Sequence, residues 1–294
     1  MILTELEIGD ARPGETSSVD LLDAVQFNPF PAKPTVVGPV KPSAGDATVS
    51  LSGTTLTVTP AADFKKGTIT IPFTLADQTG AESRQVDGSV AVIVKSVPDP
   101  PGTPSVVNGT VASHTLELRW TAPQDNGLPI DEYQVTGTPS FGSGPFSCSS
   151  SPCALTGLEN NVQYTFTVTA HNELGWGEPS GSSGPATPDE IPQTAAAPTV
   201  TWNKTNTSLK VDWVEPPVDG SPITGYLLDI STPDGAGRTQ QKVTGTSITW
   251  DNLTQGQEYS FQVTAVNSAG KGAPSGFVIH HFFGPRRAQA IRPS

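Results

Sequence analysis

A chain of 294 residues with 29 Gly, 29 Pro and 15% charged residues has the length of two to three domains, and its composition favours short strands and turns over helices. The net charge of −12 argues against a phosphate backbone as partner, and no run of 18 apolar residues exists to cross a membrane. The charge is uneven: residues 98–189 carry a single cation, Arg119, against nine carboxylates, and residues 284–294 carry three arginines and no acid. Residues 1–5, Met-Ile-Leu-Thr-Glu, lack the basic start and apolar stretch of a secretory leader. The chain is therefore expected to be a monomeric portion of something longer.

Residues 1–97 show the period of two and never the period of 3.6. Residues 48–59 alternate apolar and polar about Gly53, which predicts a hairpin. After a turn at Pro60–Phe64, Thr68–Leu75 resumes the alternation, and Gly88–Lys95 reads as a last strand with Val90, Val92 and Val94 on one face. The stretch predicts an antiparallel β-sandwich. Its wording, LTVTPAADFKKGTITIPFTLAD and then VDGSVAVIVKSVPDPPG, resembles the cadherin-like and Ig-like repeats of large bacterial secreted or wall-associated proteins. In many such repeats an early acidic loop binds calcium, and the corresponding stretch here is residues 25–31. No carboxylate lies between Asp23 and Asp46 to supply hard oxygen ligands, so no metal site is expected.

Asp99–Pro104 breaks the pattern as a short, stiff linker. Beyond it one stretch occurs twice. Leu116, Leu118 and Trp120 share one strand face, with Thr115, Glu117 and Arg119 on the other; the second copy has Leu209, Val211 and Trp213 against Lys210 and Asp212. Trp120 precedes Tyr133, and Trp213 precedes Tyr226, by the same 13 residues; Leu158 and Leu253 each precede a tyrosine, Tyr164 and Tyr259, by 6. Asn172 and Asn267, then Gly175 and Gly270, recur at matching places. Together these positions resemble the fibronectin type III module over residues 98–283. The resemblance implies that the Trp, Leu and Tyr residues are buried scaffold, with Leu158–Tyr164 and Leu253–Tyr259 as tyrosine corners. The expected organisation is all-β: three tandem antiparallel sandwiches at 1–97, 98–189 and 190–283, then a basic flexible tail at 284–294.

Asp125-Asn126-Gly127 and Asp219-Gly220 are read as turns. Cys148 and Cys153 align with Val243 and Ile248, at a hairpin tip where two β-carbons approach closely enough for a disulfide; free thiols are the alternative. Two cysteines with no adjacent His cannot complete a zinc site. The four histidines, His114, His171, His280 and His281, form no catalytic spacing, and no nucleophile elbow, zinc motif or phosphate loop occurs, so neither an enzyme nor a cofactor is expected. Trp176 aligns with Lys271 and Trp202 with Gly109; both are read as outside the shared core and are candidates for partner contact, whereas Trp250 aligns with Leu155 and is read as core. Asn108, Asn203, Asn206 and Asn252 begin glycosylation sequons, which the bacterial likeness of the first segment argues against using.

The functional expectation is a non-catalytic spacer and interaction segment of a bacterial surface or secreted protein. The rival is an accessory carbohydrate-binding module of a polysaccharide-degrading enzyme, and a third reading is a protein-binding adhesin. The expected partner is a protein or a cell-wall polysaccharide.

Overall fold

The computed structural model describes residues 1–42, 45–107, 112–203, 208–232, 239–251, 253–254 and 256–282. The basic tail and the sequons at Asn108, Asn206 and Asn252 lie outside the described residues, as does the side chain of Asn203.

Three hydrophobic cores follow one another along the chain and share no residue. The first module contains β1 (Ile2–Leu3), β2 (Leu6–Ala11), β3 (Ser17–Asp20), β4 (Val25–Phe27), β5 (Thr35–Val36), β6 (Ala47–Ser52), β7 (Thr55–Pro60), β8 (Gly67–Ala76) and β9 (Val86–Val94). A sheet in the order β2-β9-β8-β5 faces a sheet β3-β7-β6, and β1 pairs with β4 as a separate ribbon. The β6–β7 hairpin turns at Gly53, whose φ of 63° suits a residue without a β-carbon. Val90, Val92 and Val94 point inward, as their alternation requires.

The expectation of a wholly antiparallel sandwich needs correction here. β2 runs parallel to β9, with Leu6 opposite Val90 and Ile8 opposite Val92. The chain does not return from β2 by a hairpin; it crosses at Pro13-Gly14 into the opposite sheet, so β2 fills the free edge of β9 in the same direction.

The second module contains β10 (Ser105–Val106), β11 (Thr115–Arg119), β12 (Glu132–Thr138), β13 (Phe146–Cys148), β14 (Cys153–Thr156), β15 (Thr165–Asn172) and β16 (Gly175–Trp176). The third contains β17 (Thr199–Asn203), β18 (Ser208–Asp212), β19 (Gly225–Ser231), β20 (Thr239–Val243), β21 (Ser247–Trp250), β22 (Glu258–Val266) and β23 (Val278–His281). Each is a three-stranded sheet, β10-β11-β14 or β17-β18-β21, packed on a four-stranded one, β13-β12-β15-β16 or β20-β19-β22-β23. All strand pairs in both are antiparallel.

The repeated residues form the same interior twice. Trp120 and Tyr133 place their ring centroids 5.4 Å apart at 60°, and Trp213 and Tyr226 do so at 5.4 Å and 66°. Leu158, Tyr164 and Leu253 are buried; Tyr259 is half-buried and packs against the third core. Each buried Trp or Tyr contributes about 2–3 kcal/mol by the area it removes from water. In both tyrosine corners the phenol oxygen accepts a backbone N–H five residues upstream, Glu159 at 3.0 Å in one and Thr254 at 2.9 Å in the other.

Past Trp176 the chain runs beside β15 and gives its carbonyls the N–H groups of Gly177, Ser180, Ser183 and Ala186. Serine hydroxyls act as the return acceptors. Ser180 Oγ accepts the N–H of Val168, and Ser183 Oγ that of Phe166, each at 2.9 Å; in the third module Ser275 Oγ accepts from Val263 at 3.0 Å.

Cys148 and Cys153 are disulfide-bonded, with Cα atoms 6.1 Å apart. The expected hairpin is corrected: Cys148 ends β13 in one sheet and Cys153 begins β14 in the other, so the bond staples the two sheets of the second module together. The loop between them turns back on the core, where Ser151 Oγ donates to the Trp120 carbonyl and accepts the Trp120 N–H, both at 2.9 Å.

Candidate functional site

Among the described residues no three His, Cys, Asp or Glu side chains come together as metal ligands. The repeated aromatics pack as scaffold, buried except for the half-buried Tyr259. In the third module Tyr226 donates its hydroxyl to Glu215 at 3.0 Å, and burial together with that carboxylate pushes its pKa up to about 12. Burial also raises the phenol pKa of Tyr133, where Ala122 occupies the place of Glu215.

The two candidate contact tryptophans differ. Trp176 sits on β16 opposite His171, ring centroids 4.7 Å apart, with 37% of its surface exposed, and His171 Nδ1 lies 2.7 Å from Asp131. Trp202 is corrected: its ring packs edge-on against Phe282 at 6.2 Å and joins the third core, because β17 lies against the module's final segment. Trp250 is half-buried against the same core. His280 and His281 lie on the last strand, and His281 Nε2 is 2.7 Å from Glu258.

Polar groups converge instead where module meets module. At the first junction Asn172 Nδ2 donates to the Ser96 carbonyl at 2.9 Å and to the Asp125 carbonyl at 3.1 Å. Asn126, buried and at φ 53°, donates to the Val97 carbonyl at 2.9 Å and to Asp99 Oδ1 at 3.2 Å. Lys65 of the first module reaches Asp99 at 2.6 Å, and this hydrogen bond is the chief cause holding the Asp99 carboxyl below its usual range. Lys66 reaches Gln124 at 3.0 Å. Beside these contacts lies a cleft of about 290 Å³, lined by Arg12, Pro13, Lys65, Val97 and Leu174 among others.

The second junction repeats the clamp. Asn267 Nδ2 donates to the Glu190 carbonyl at 2.6 Å and to the Ser221 carbonyl at 3.1 Å. Asp189 accepts the Ser221 N–H at 2.6 Å and its hydroxyl at 2.8 Å. A β-carbon on Gly177 would run into the Pro98 carbonyl, and one on Gly272 into the Pro192 carbonyl, so both glycines are fixed by the closeness of the linker. Where the first junction has Asn126, the second has Asp219, whose carboxylate lies 2.9 Å from Nε2 of His114 in the preceding module. His114, His171 and the two turns carry no recognisable chemistry as sequence; Asn172 and Asn267 stand out there only as repeated letters.

A family model described as "Fibronectin type III domain" matches residues 99–184 and 192–281, more than half the chain. The chain belongs to the fibronectin type III family. Fibronectin type III domains are in general non-catalytic structural or binding modules. Among curated relatives, Fibronectin type-III domain-containing protein 3a of Gallus gallus is 30% identical over 60% of this chain and 15% of its own length. The Titin homolog of Caenorhabditis elegans is 30% identical over 64% of the chain and 1% of its own length. Receptor-type tyrosine-protein phosphatase F of Bos taurus is 26% identical over 65% and 10%. The chain thus spans a small part of the curated relatives it matches. The solved chicken CNTN1 FN1–FN3 domains align at 21% identity over 64% of this chain and 67% of that one, with a TM-score of 0.34.

Proposed function

We propose that this chain is a non-catalytic spacer: a first β-sandwich of Ig-like or cadherin-like kind and two fibronectin type III modules, set end to end within a longer secreted or surface protein. One observation carries the reading. The same asparagine of each fibronectin type III module, Asn172 and Asn267, clamps both the entering linker and the neighbouring turn of its own module. Such a clamp fixes the linker against the module it enters, which a spacer requires and a mere tether does not. An inter-sheet disulfide suits an oxidising, extracellular setting. The bacterial setting rests on the wording of the first segment; the relatives named above are animal proteins.

Small-angle scattering of the chain tests this. Dimensions of three modules in line support the spacer, and a compact particle overturns it. The carbohydrate-binding rival needs a planar row of open aromatics, and with Trp202 packed inward Trp176 has no second ring beside it among the proposed contacts. A glycan array run with wild type and Trp176→Ala decides that rival, and the same variant in a pull-down tests Trp176 as the contact of a protein partner.

A further inference from the structure

We propose that the junction between the two fibronectin type III modules is fastened by a pH-sensitive clasp, His114 on Asp219, that holds the modules together in acid and releases them as the pH rises. The proposal deepens the spacer reading and rests on it.

His114 occupies a tight turn at the entry to β11, between Ala112 and Thr115, which exchange backbone hydrogen bonds at 3.2 and 3.1 Å. Its φ of 57° lies in the left-handed region, where a residue with a β-carbon stays only if its surroundings hold it. They do. Asn160 Oδ1 accepts the His114 N–H at 2.7 Å, and Asn160 Nδ2 donates to Ser113 Oγ at 3.1 Å. The ring is therefore presented in one orientation, toward the next module.

Both ring nitrogens face acceptors. Nδ1 lies 2.7 Å from the Leu158 carbonyl, and Nε2 lies 2.9 Å from Asp219 Oδ2 across the junction. A carbonyl takes a hydrogen bond and gives none, so Nδ1 carries a proton. Nε2 needs one too: without it, an imidazole lone pair would point at a carboxylate. The geometry satisfies an imidazolium at both ends and a neutral ring at one only. Asn160 Nδ2, at 3.5 Å from Nε2, is too far to offer that nitrogen a competing bond.

Two carboxylates of the following segment face the ring: Asp219, and Glu190, whose Oε2 accepts from Ser113 Oγ at 3.1 Å. The Leu158 carbonyl first, then Asp219 and Glu190, raise the His114 pKa above its ordinary value. A raised folded-state pKa places the stabilisation at low pH; it is fully present below the ordinary imidazole value of about 6.5 and disappears as the pH climbs through the raised one. Among the described residues no histidine bonds across the first junction; His171, next to Asn172, pairs with Asp131 of its own module. The ion pairs there join Lys65 to Asp99 and Lys66 to Asp125, lysines to carboxylates with no imidazole between them.

NMR on the whole chain tests the clasp. The His114 ring should titrate above the ordinary imidazole value in wild type and drop back toward it in Asp219→Asn. In ¹⁵N relaxation the second and third modules should tumble together at pH 5 and separately at pH 8, while the first and second keep one behaviour throughout. His114→Asn, which tolerates the left-handed backbone, should abolish the change without unfolding either module. The proposal is overturned if Asp219→Asn leaves the His114 midpoint where it was, or if the second junction behaves alike at both pH values. Either failure leaves the in-line arrangement, which scattering tests separately.

Discussion

The two junctions are built on one plan and finished with different chemistry. Both use a repeated asparagine, Asn172 or Asn267, to tie the linker to the module it enters, and both need a glycine, Gly177 or Gly272, so that the linker can lie against the sheet. They differ most plainly at one aligned position. Asn126 is buried, neutral and bonded to two linker atoms; Asp219 is two-thirds exposed at its side chain and bonded to an imidazole. A buried amide with its partners satisfied is costly to disturb under all ordinary conditions. An exposed ion pair is weak and depends on the medium. The same fold thus sets one joint firmly and leaves the next responsive, by the choice of one side chain and of what faces it.

The largest test of that contrast removes a core. Trp120→Ala should lose about 3–5 kcal/mol from the second module, enough to unfold it. If both junctions are only clamps between independent folds, the first and third modules keep their native NMR dispersion; loss of either would mean that the interiors are coupled. A smaller change acts on the firm joint itself. Asn126→Asp sets a carboxylate beside Asp99 and the Val97 carbonyl, and should lose about 2–3 kcal/mol, seen as a clear fall in the melting temperature of the second module. Asp219→Asn at the matching place should leave melting almost unchanged. Equal effects from the two would erase the distinction between the joints.

Reduction of the disulfide, or Cys148→Ser, should lower the stability of the second module by about 2 kcal/mol with no effect on the third, because the staple joins two sheets of one core. Denaturation followed with and without reductant checks it. The smallest effect is alkaline. Tyr226 should ionise later than its counterpart Tyr133 in an ultraviolet titration. Its pKa is raised from the ordinary 10 to about 12, so the stability it lends is present below pH 10 and is lost as the pH rises between those values. Glu215→Ala should bring its titration down toward that of Tyr133.

Much of this architecture can be read before any coordinates are seen. A period of two survives in a sequence because one face of a strand is dry, and Trp120, Tyr133, Tyr164 and their copies mark that face. The closed turn at Gly53 is legible for the same reason: the backbone demands a residue type, and the sequence displays it. The parallel β2 is not legible, since Leu6 and Ile8 alternate identically whichever way the neighbouring strand runs. Trp202 misleads because alignment with Gly109 shows what the second module does without, and not what Phe282 offers in the third. The cysteines reveal their bond but not which sheets it joins. The junction residues are hardest to read. Asn126 and Asp219 look like ordinary turn formers because they are turn formers; their second duty appears only once the linker and His114 have been brought beside them.

The serines that act as return acceptors beside β15 and β22 matter in an array of similar modules. Neighbours that share a sequence pattern are prone to lend strands to one another while folding, and an open sheet margin is where such an exchange begins. Here the margin carries prolines that offer no N–H, while the amides of Phe166, Val168 and Val263 are already taken by hydroxyls of their own module. A misplaced strand from the adjoining repeat would find those amides already bonded. This border of each module is closed by the module's own chain, which favours each repeat folding upon itself.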